Sequence, residues 1–265
     1  MDGGSPEVTR LRVQAEALEA SAESLLDAVG VTSGSSALDL ACGPFGLLGP
    51  LARRVGPTGR VVGLDFDPAE VSAAREHVRA LNLHNVDVVQ GDAFHTEFAP
   101  DSFDIVHARF LLAPVGHAPE LLREMVRVVK PGGFVVLEEP ESNGWTCFPN
   151  SAGFERLKGV IRDCFRMGGG DFDAGRKLYA LQLEAGLSDI RTRGVALTLQ
   201  NRHPYMRSSV QFATSLRRRI LENGLLTASE LDEATADVEH AISRPETLMI
   251  SFLVVQSWGR KPTSG

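Results

Sequence analysis

The chain has 265 residues, 43% of them apolar and 23% charged, with 27 basic against 34 acidic side chains and a formal net charge of −7. That hydrophobic content excludes a disordered chain, three cysteines exclude a disulfide scaffold, and the acidic balance argues against non-specific nucleic-acid binding, which needs a basic face. At roughly 150 residues per domain the length allows one large domain or two small ones, with enough buried surface to need no covalent staple.

Cys42, Cys147 and Cys164 are widely spaced and form no CxxC pair, so neither a disulfide framework nor a zinc site is expected. A reducing, cytoplasmic setting fits best. Met1 to Pro6 lacks a basic n-region and is followed by charged residues, which does not read as a signal peptide. Nowhere do about eighteen apolar residues run together, so no membrane span is expected.

Taken in chain order, Leu11, Leu18, Leu25, Leu26 and Val29 recur at helical offsets, which predicts an amphipathic helix from Pro6 to Val29. Short Val-, Ile- and Leu-rich runs follow at residues 36–41, 60–64, 86–90, 103–108 and 133–138, the texture of strands buried on both faces. Helical patterns separate them at residues 50–55, 68–81 and 118–129, the second opening with Asp67 as N-cap and Pro68 at the first helical position. Strand alternating with helix predicts a parallel sheet with right-handed crossovers. Beyond Glu141 the texture changes. Helical stretches at 152–166, 176–185, 205–223 and 228–243 surround two β-like runs, 190–200 and 247–258, with Gly186 placed to end the second helix.

Four features fall at strand ends or turns, and open α/β sheets bind ligands at the carboxyl ends of their strands. The segment Asp39-Leu40-Ala41-Cys42-Gly43-Pro44-Phe45-Gly46 ends the first strand in an acid and a small-residue turn, so that backbone can approach a ligand closely. Leu64-Asp65-Phe66 puts a carboxylate at the end of the second strand, suited to the two hydroxyls of a ribose. Gly91-Asp92-Ala93-Phe94 places another after the third, where it could accept from an exocyclic amine while the ring packs on a base. Lys130-Pro131-Gly132-Gly133 reads as the turn into strand five. Singly, each is as well explained as a cap or a turn; their order and spacing are more specific.

With these segments in hand, residues 36–140 resemble the core of class I S-adenosylmethionine-dependent methyltransferases, in the small-molecule (type 11) group that includes the ubiquinone and menaquinone C-methyltransferases. The resemblance implies a Rossmann-like α/β fold with a seven-stranded, mostly parallel sheet whose last strand is antiparallel, flanked by helices and carrying a helical cap. It implies one domain over 1–265, with a cap helix at 1–32, a cofactor core at 36–140 and substrate-cap insertions at 141–180 and 201–246. The implied cofactor is S-adenosyl-L-methionine, with S-adenosyl-L-homocysteine as product. Its site would draw on Asp39, Ala41, Gly43, Gly46, Asp65, Phe66, Asp92, Ala93, Phe94, Ala108 and Arg109. Two departures from the family pattern stand out: Ala41 replaces a usual glycine, and Phe45 shifts the next glycine to Gly46, which predicts a wider loop.

The residues themselves also disfavour a nicotinamide dinucleotide. The turn lacks G-x-G-x-x-G running into a helix, and a buried Asp39 would repel a pyrophosphate while suiting a ligand with an ammonium and a sulfonium. Methyl transfer needs no covalent nucleophile, but an acidic acceptor would use a base. His107, one of Glu138 and Glu139, His203 and Tyr205 are candidates, against readings of His107 as a partner of a backbone carbonyl and His203 as a surface residue. Phe148, Phe154, Phe165, Met167 and Phe212 line an apolar pocket or belong to the core, and Arg217-Arg218-Arg219 reads as a solvated face.

The expected function is methyl transfer to an O, N or C atom of a small, partly apolar metabolite, in the setting of natural-product (secondary) metabolism. The alternatives are a cyclase or decarboxylase that keeps the cofactor as a fixed cation and, more distantly, an NAD(P)-dependent reductase. Expected partners are a small-molecule substrate, with no nucleic acid, membrane or metal, in a monomer or homodimer.

Overall fold

In the computed structural model, which describes residues 6–263, strand and helix alternate through the first half of the chain. Helix α1 (Pro6–Val29) is followed by β1 (Ser36–Leu40), α2 (Leu48–Val55), β2 (Arg60–Asp65), α3 (Pro68–Ala80), β3 (Val86–Gln90), β4 (Phe103–Arg109), the short α4 (Leu112–Val115), α5 (Ala118–Val128) and β5 (Val129–Glu141). The reading of Met1 to Pro6 as unlike a signal peptide falls, for residues 1–5, outside the described residues. Asp67 caps α3 as its position predicts, its side chain accepting from Ala69 N at 2.8 Å, with Pro68 starting the helix.

The second half supplies β6 (Thr146–Phe148), α6 (Ala152–Met167), α7 (Leu178–Glu184), β7 (Ser188–Val195), β8 (Thr198–Leu199), α8 (Ser208–Ser215), α9 (Arg217–Glu222), α10 (Ala228–Ser243), β9 (Leu248–Ile250) and β10 (Leu253–Arg260). Seven strands form the main sheet in the order β3-β2-β1-β4-β5-β10-β7. The first five are parallel, and β10 runs antiparallel between β5 and β7. A fold of this class, with its last strand antiparallel, is the one expected.

Each late β-like run divides in two, which sequence alone does not predict. The 190–200 run gives β7 to the main sheet and β8 to a separate three-stranded sheet; the 247–258 run gives β9 to that small sheet and β10 to the main one. Alternating side chains cannot reveal the break, because both halves keep β character. Likewise the stretch 205–223 is broken into a 3-10 turn at Pro204–Arg207 followed by α8 and α9.

The sheet carries an apolar core on each face. Leu38, Leu40, Val106, Val135 and Leu137 face the side covered by α5 and α7, and Ala37, Val61, Ile105 and Val136 face α1, α2 and α3. Burying each Val or Leu contributes about 1.5–3 kcal/mol, so these strands need both layers of helix. Cys42, Cys147 and Cys164 are buried free thiols. No helix among the described residues is long and apolar enough to cross a membrane.

Candidate active site

Where β1 ends, the chain turns through Ala41 at φ 52° and Gly43 at φ 51°, both left-handed. For alanine that backbone costs about 1–2 kcal/mol, the reason glycine is usual there. A Cβ on Gly43 would meet nothing within 4 Å, so the loop is open to a ligand at that point. At Gly46 a Cβ would lie 2.3 Å from the Cys42 carbonyl oxygen and 2.7 Å from Asp39 Oδ2, so only glycine lets the loop fold back over the carboxylate.

Two carboxylates hold this loop. Buried Asp39 accepts from Leu47 N through Oδ2 at 3.0 Å. Asp65, at the end of β2, accepts from Gly43 N at 2.9 Å through Oδ2 and from Asp67 N at 3.0 Å through Oδ1. Each Asp65 oxygen keeps a further lone pair for a ligand.

The loop forms one wall of a cavity of about 450 Å³, within the ~300–1,000 Å³ range of small-molecule sites. Asp65 and Glu70 line the same end. The other end is aromatic: Phe110, Phe165, Phe172, Phe212 and Phe252, with Phe172 edge-on to Phe212 at 5.8 Å and to Phe252 at 5.4 Å. Glu7, Arg10, Leu11 and Gln14 of α1 close it from above, and Arg10 lies over the Phe212 ring at 4.8 Å. Glu7 accepts from Arg10 Nε at 3.1 Å and from Ser215 Oγ on α8 at 2.5 Å, tying the helix across the opening. Burial and the nearby Asp65 and Asp67 push the Glu70 carboxyl up. A second cavity of about 410 Å³ lies between α1, α2 and α3, sharing Phe45, Gly46, Leu47 and Arg109 with the first.

The cavity brings together Asp39, Ala41, Gly43, Gly46, Asp65, His107 and Arg109 from the residues expected at the site. Arg109 reaches the Phe45 carbonyl oxygen at 3.5 Å and lies 5.9 Å from the Phe110 ring centre. Phe66, Asp92, Ala93, Phe94 and Ala108 do not line it. Asp92 is half-buried and accepts from Phe94 N at 2.9 Å, and Phe66 is 75% exposed at the end of β2.

The candidate bases are placed differently. His107 donates from Nδ1 to Asp39 Oδ1 at 2.7 Å and from Nε2 to Glu138 Oε1 at 3.1 Å, which leaves neither nitrogen to take a proton from an acceptor. Although burial opposes its charge, the two carboxylates raise the imidazole pKa to about 9. Glu138 and Glu139 are both buried, on opposite faces of β5, and neither lines the cavity. Glu139 accepts the amides of Leu111, Leu112 and Ala113 at 3.0, 2.7 and 3.0 Å, while burial pushes its carboxyl up to about 8. His203 is exposed and caps the 3-10 turn by accepting from Tyr205 N at 3.2 Å. Tyr205 is buried outside the cavity lining, and burial raises its phenol pKa.

Several lining residues escaped sequence reading. Arg10 and Gln14 stand one turn apart on α1, and Phe110, Phe172 and Phe252 come from three distant segments that only the fold assembles. Phe110 carries a local trace in its backbone, at φ 56°, but a sequence does not display it. Arg219, read as part of a solvated face, stands at the cavity mouth, whereas Arg217 pairs with Asp232 at 2.6 Å. Phe148 and Met167 are exposed, at 70% and 55%.

These residues fit S-adenosylmethionine. Asp65 offers acceptors for a diol at the rim of the cavity, Gly43 leaves an unfilled cradle, and the carboxylates at this end suit a cationic ligand.

Comparison with known proteins agrees. Residues 31–166, half of the chain, match the family model described as "Methyltransferase domain". The chain belongs to this methyltransferase family. Its class is the S-adenosylmethionine-dependent class I group. A demethylmenaquinone methyltransferase of Lactobacillus johnsonii is 38% identical over 148 residues, which are 51% of this chain and 59% of that protein. The chain thus spans less than two thirds of the curated relatives it matches, 50% of one from Listeria welshimeri. Among solved structures, the YcgJ protein of Bacillus subtilis aligns with a TM-score of 0.61 and 16% identity over 93% of this methyltransferase and 100% of that chain. The geranyl diphosphate C-methyltransferase of Streptomyces coelicolor, solved with S-adenosyl-L-homocysteine, aligns with a TM-score of 0.54 and 16% identity, covering 92% and 79%. Both share the fold.

Proposed function

We propose that the protein catalyses S-adenosylmethionine-dependent methyl transfer to an O, N or C atom of a small, partly apolar acceptor. One observation carries this reading: the cavity joins a cofactor end, made by the 41–47 loop and Asp65, to an aromatic end in a single continuous space. A dinucleotide reductase would need a phosphate cradle where this loop has buried Asp39.

Asp65 would accept the ribose hydroxyls, the loop backbone at Gly43 would lie along the methionine part, and Arg109 would hold its carboxylate. Asp92 with Ala93, Phe94 and Phe66 would form the adenine end, outside the cavity. When bound, the cofactor supplies a methyl group carried on a sulfonium. The chain's own part is to bind and orient. Phe172, Phe212 and Phe252 exclude water and hold a flat or apolar acceptor, and correct placement alone can contribute about 7 kcal/mol or more to the rate. With both His107 nitrogens engaged, an acceptor that reacts without a protein base fits this site best.

Calorimetric titration with S-adenosylmethionine, S-adenosylhomocysteine and NADPH tests the reading, on the wild type and on Asp65→Ala and Asp92→Ala. The two sulfur ligands should bind and NADPH should not. No binding of the first two by the wild type would sink the proposal, and tight binding retained in both variants would refute the residue assignment.

A further inference from the structure

His107 lies at the centre of a row of buried polar side chains that crosses the main sheet. In the register of the strands, Asp39 of β1 sits beside His107 of β4, and Glu138 of β5 beside Gln256 of β10, which sits beside Arg193 of β7. The side chains are joined. His107 donates to Asp39 and Glu138, Gln256 Nε2 donates to Glu138 Oε2 at 2.6 Å, and Arg193 Nε donates to Gln256 Oε1. Gln256 also donates to Ser21 Oγ at 3.0 Å, and Arg193 to Ser24 Oγ at 3.0 Å, so the row ends on α1. Asp39, His107, Glu138 and Gln256 are each 2% exposed or less.

A buried ionic row is costly and is weak evidence for stability alone, since a well-packed apolar set often does as well. Its position gives it a use. The Asp39 oxygen not taken by His107 anchors Leu47 N, at the far end of the loop that carries Gly43.

We propose that His107 is a positioning residue: as the cation between Asp39 and Glu138, it fixes the carboxylate that anchors the 41–47 loop and thereby sets the affinity for the cofactor. The proposal rests on the cofactor reading above. Loss of the His107 proton leaves Asp39 and Glu138 facing a neutral ring that can donate to only one of them. With the ring's one proton given to Glu138, Asp39 still accepts from Leu47 N but loses the partner that fixes it, and the loop anchor loosens. The charged groups facing His107 are Asp39 from β1 and Glu138 from β5; Arg109 acts on Glu138 from further along β4, and Arg193 stands behind Gln256. From α1 the row meets the hydroxyls of Ser21 and Ser24 and the Ser21 carbonyl.

The test is S-adenosylhomocysteine affinity measured by calorimetry on the full chain between about pH 7 and about pH 9.5, with melting temperatures in parallel, for wild type, His107→Gln and Glu138→Gln. His107→Gln should bind about tenfold more weakly at neutral pH. Its pH profile should keep only the titrations of the ligand's ammonium and of Glu139, and the wild type should fall more steeply against that baseline. Glu138→Gln, which removes one of the two carboxylates, should move the extra fall to lower pH. Variants that melt lower but keep the wild-type affinity and pH profile would overturn the proposal and leave His107 merely structural. Should His107→Gln not fold, the shift in Glu138→Gln decides alone. A wild type that binds no S-adenosylhomocysteine defeats the cofactor reading itself, and this role with it.

Discussion

Asp65 serves two partners with one carboxylate. It restrains the loop through Gly43 N and its own turn through Asp67 N, and both oxygens retain capacity for ligand hydroxyls. Asp65→Ala should therefore weaken S-adenosylhomocysteine binding by about 3 kcal/mol, roughly a hundredfold, as charge-assisted hydrogen bonds are lost. Calorimetry reads this directly. Ala41 is a different matter, since at φ 52° it stores strain that glycine would not. Ala41→Gly should raise stability by about 0.5–1 kcal/mol in urea unfolding, the relief of strain exceeding the added freedom of the unfolded chain. Asp39, Asp65 and Gly43 were legible in the sequence because a strand end followed by small residues is a local pattern. Arg10, Phe172 and Phe252 were not, because what unites them is a cavity wall assembled from segments far apart. The role of His107 as a shared donor also depended on neighbours from other strands, and a histidine at a strand end reads equally as a base.

At the scale of elements, Glu139 shows how a strand can hold a turn in the neighbouring loop. Its carboxylate gathers three consecutive amides at the start of α4, and α4 contributes Ala113 and Pro114 to the cavity. Glu139→Ala leaves those buried donors unpaired, so a loss of about 3 kcal/mol is expected, measured as a lower urea midpoint at unchanged m-value. Glu139→Gln keeps an acceptor and should recover part of it. The alternation of strand and helix over residues 36–140 was readable because buried parallel strands give unbroken apolar runs. The small sheet was not. Its strands β8 and β9 continue the runs of β7 and β10, and what sets them apart is β9 pairing with β6 on one side and β8 on the other.

For the whole molecule, the buried ionisable groups set a pH profile. His107 is raised from 6.5 to about 9, so its contribution to stability is complete below pH 6.5 and disappears as pH rises through about 9. Glu139, raised from 4.5 to about 8 by burial, acts in the same sense, favouring the folded state fully only below its unfolded value. Glu138 and Asp173 are held below the ordinary carboxylate range and work oppositely, their contribution being lost in acid. The melting temperature should be highest in mildly acidic buffer and decline as pH rises through neutrality to about pH 9. A flat alkaline limb in scanning calorimetry would contradict the ionic row. His107→Gln should make that limb shallower, leaving the part due to Glu139.

Ser21 and Gln256 meet across almost the whole sequence, one on the first helix and the other on the last strand. The cavity inherits that arrangement, since Arg10 and Gln14 close it from one side and Phe252 from the other. A ribosome delivers the helix first and the strand last. Ligand binding is therefore expected to emerge once β10 has been made, since a chain truncated before Phe252 lacks that wall of the cavity and the strand between β5 and β7. Retention of a cofactor analogue during synthesis would then mark a chain made past β10, whereas the melting of the parallel strands alone would not.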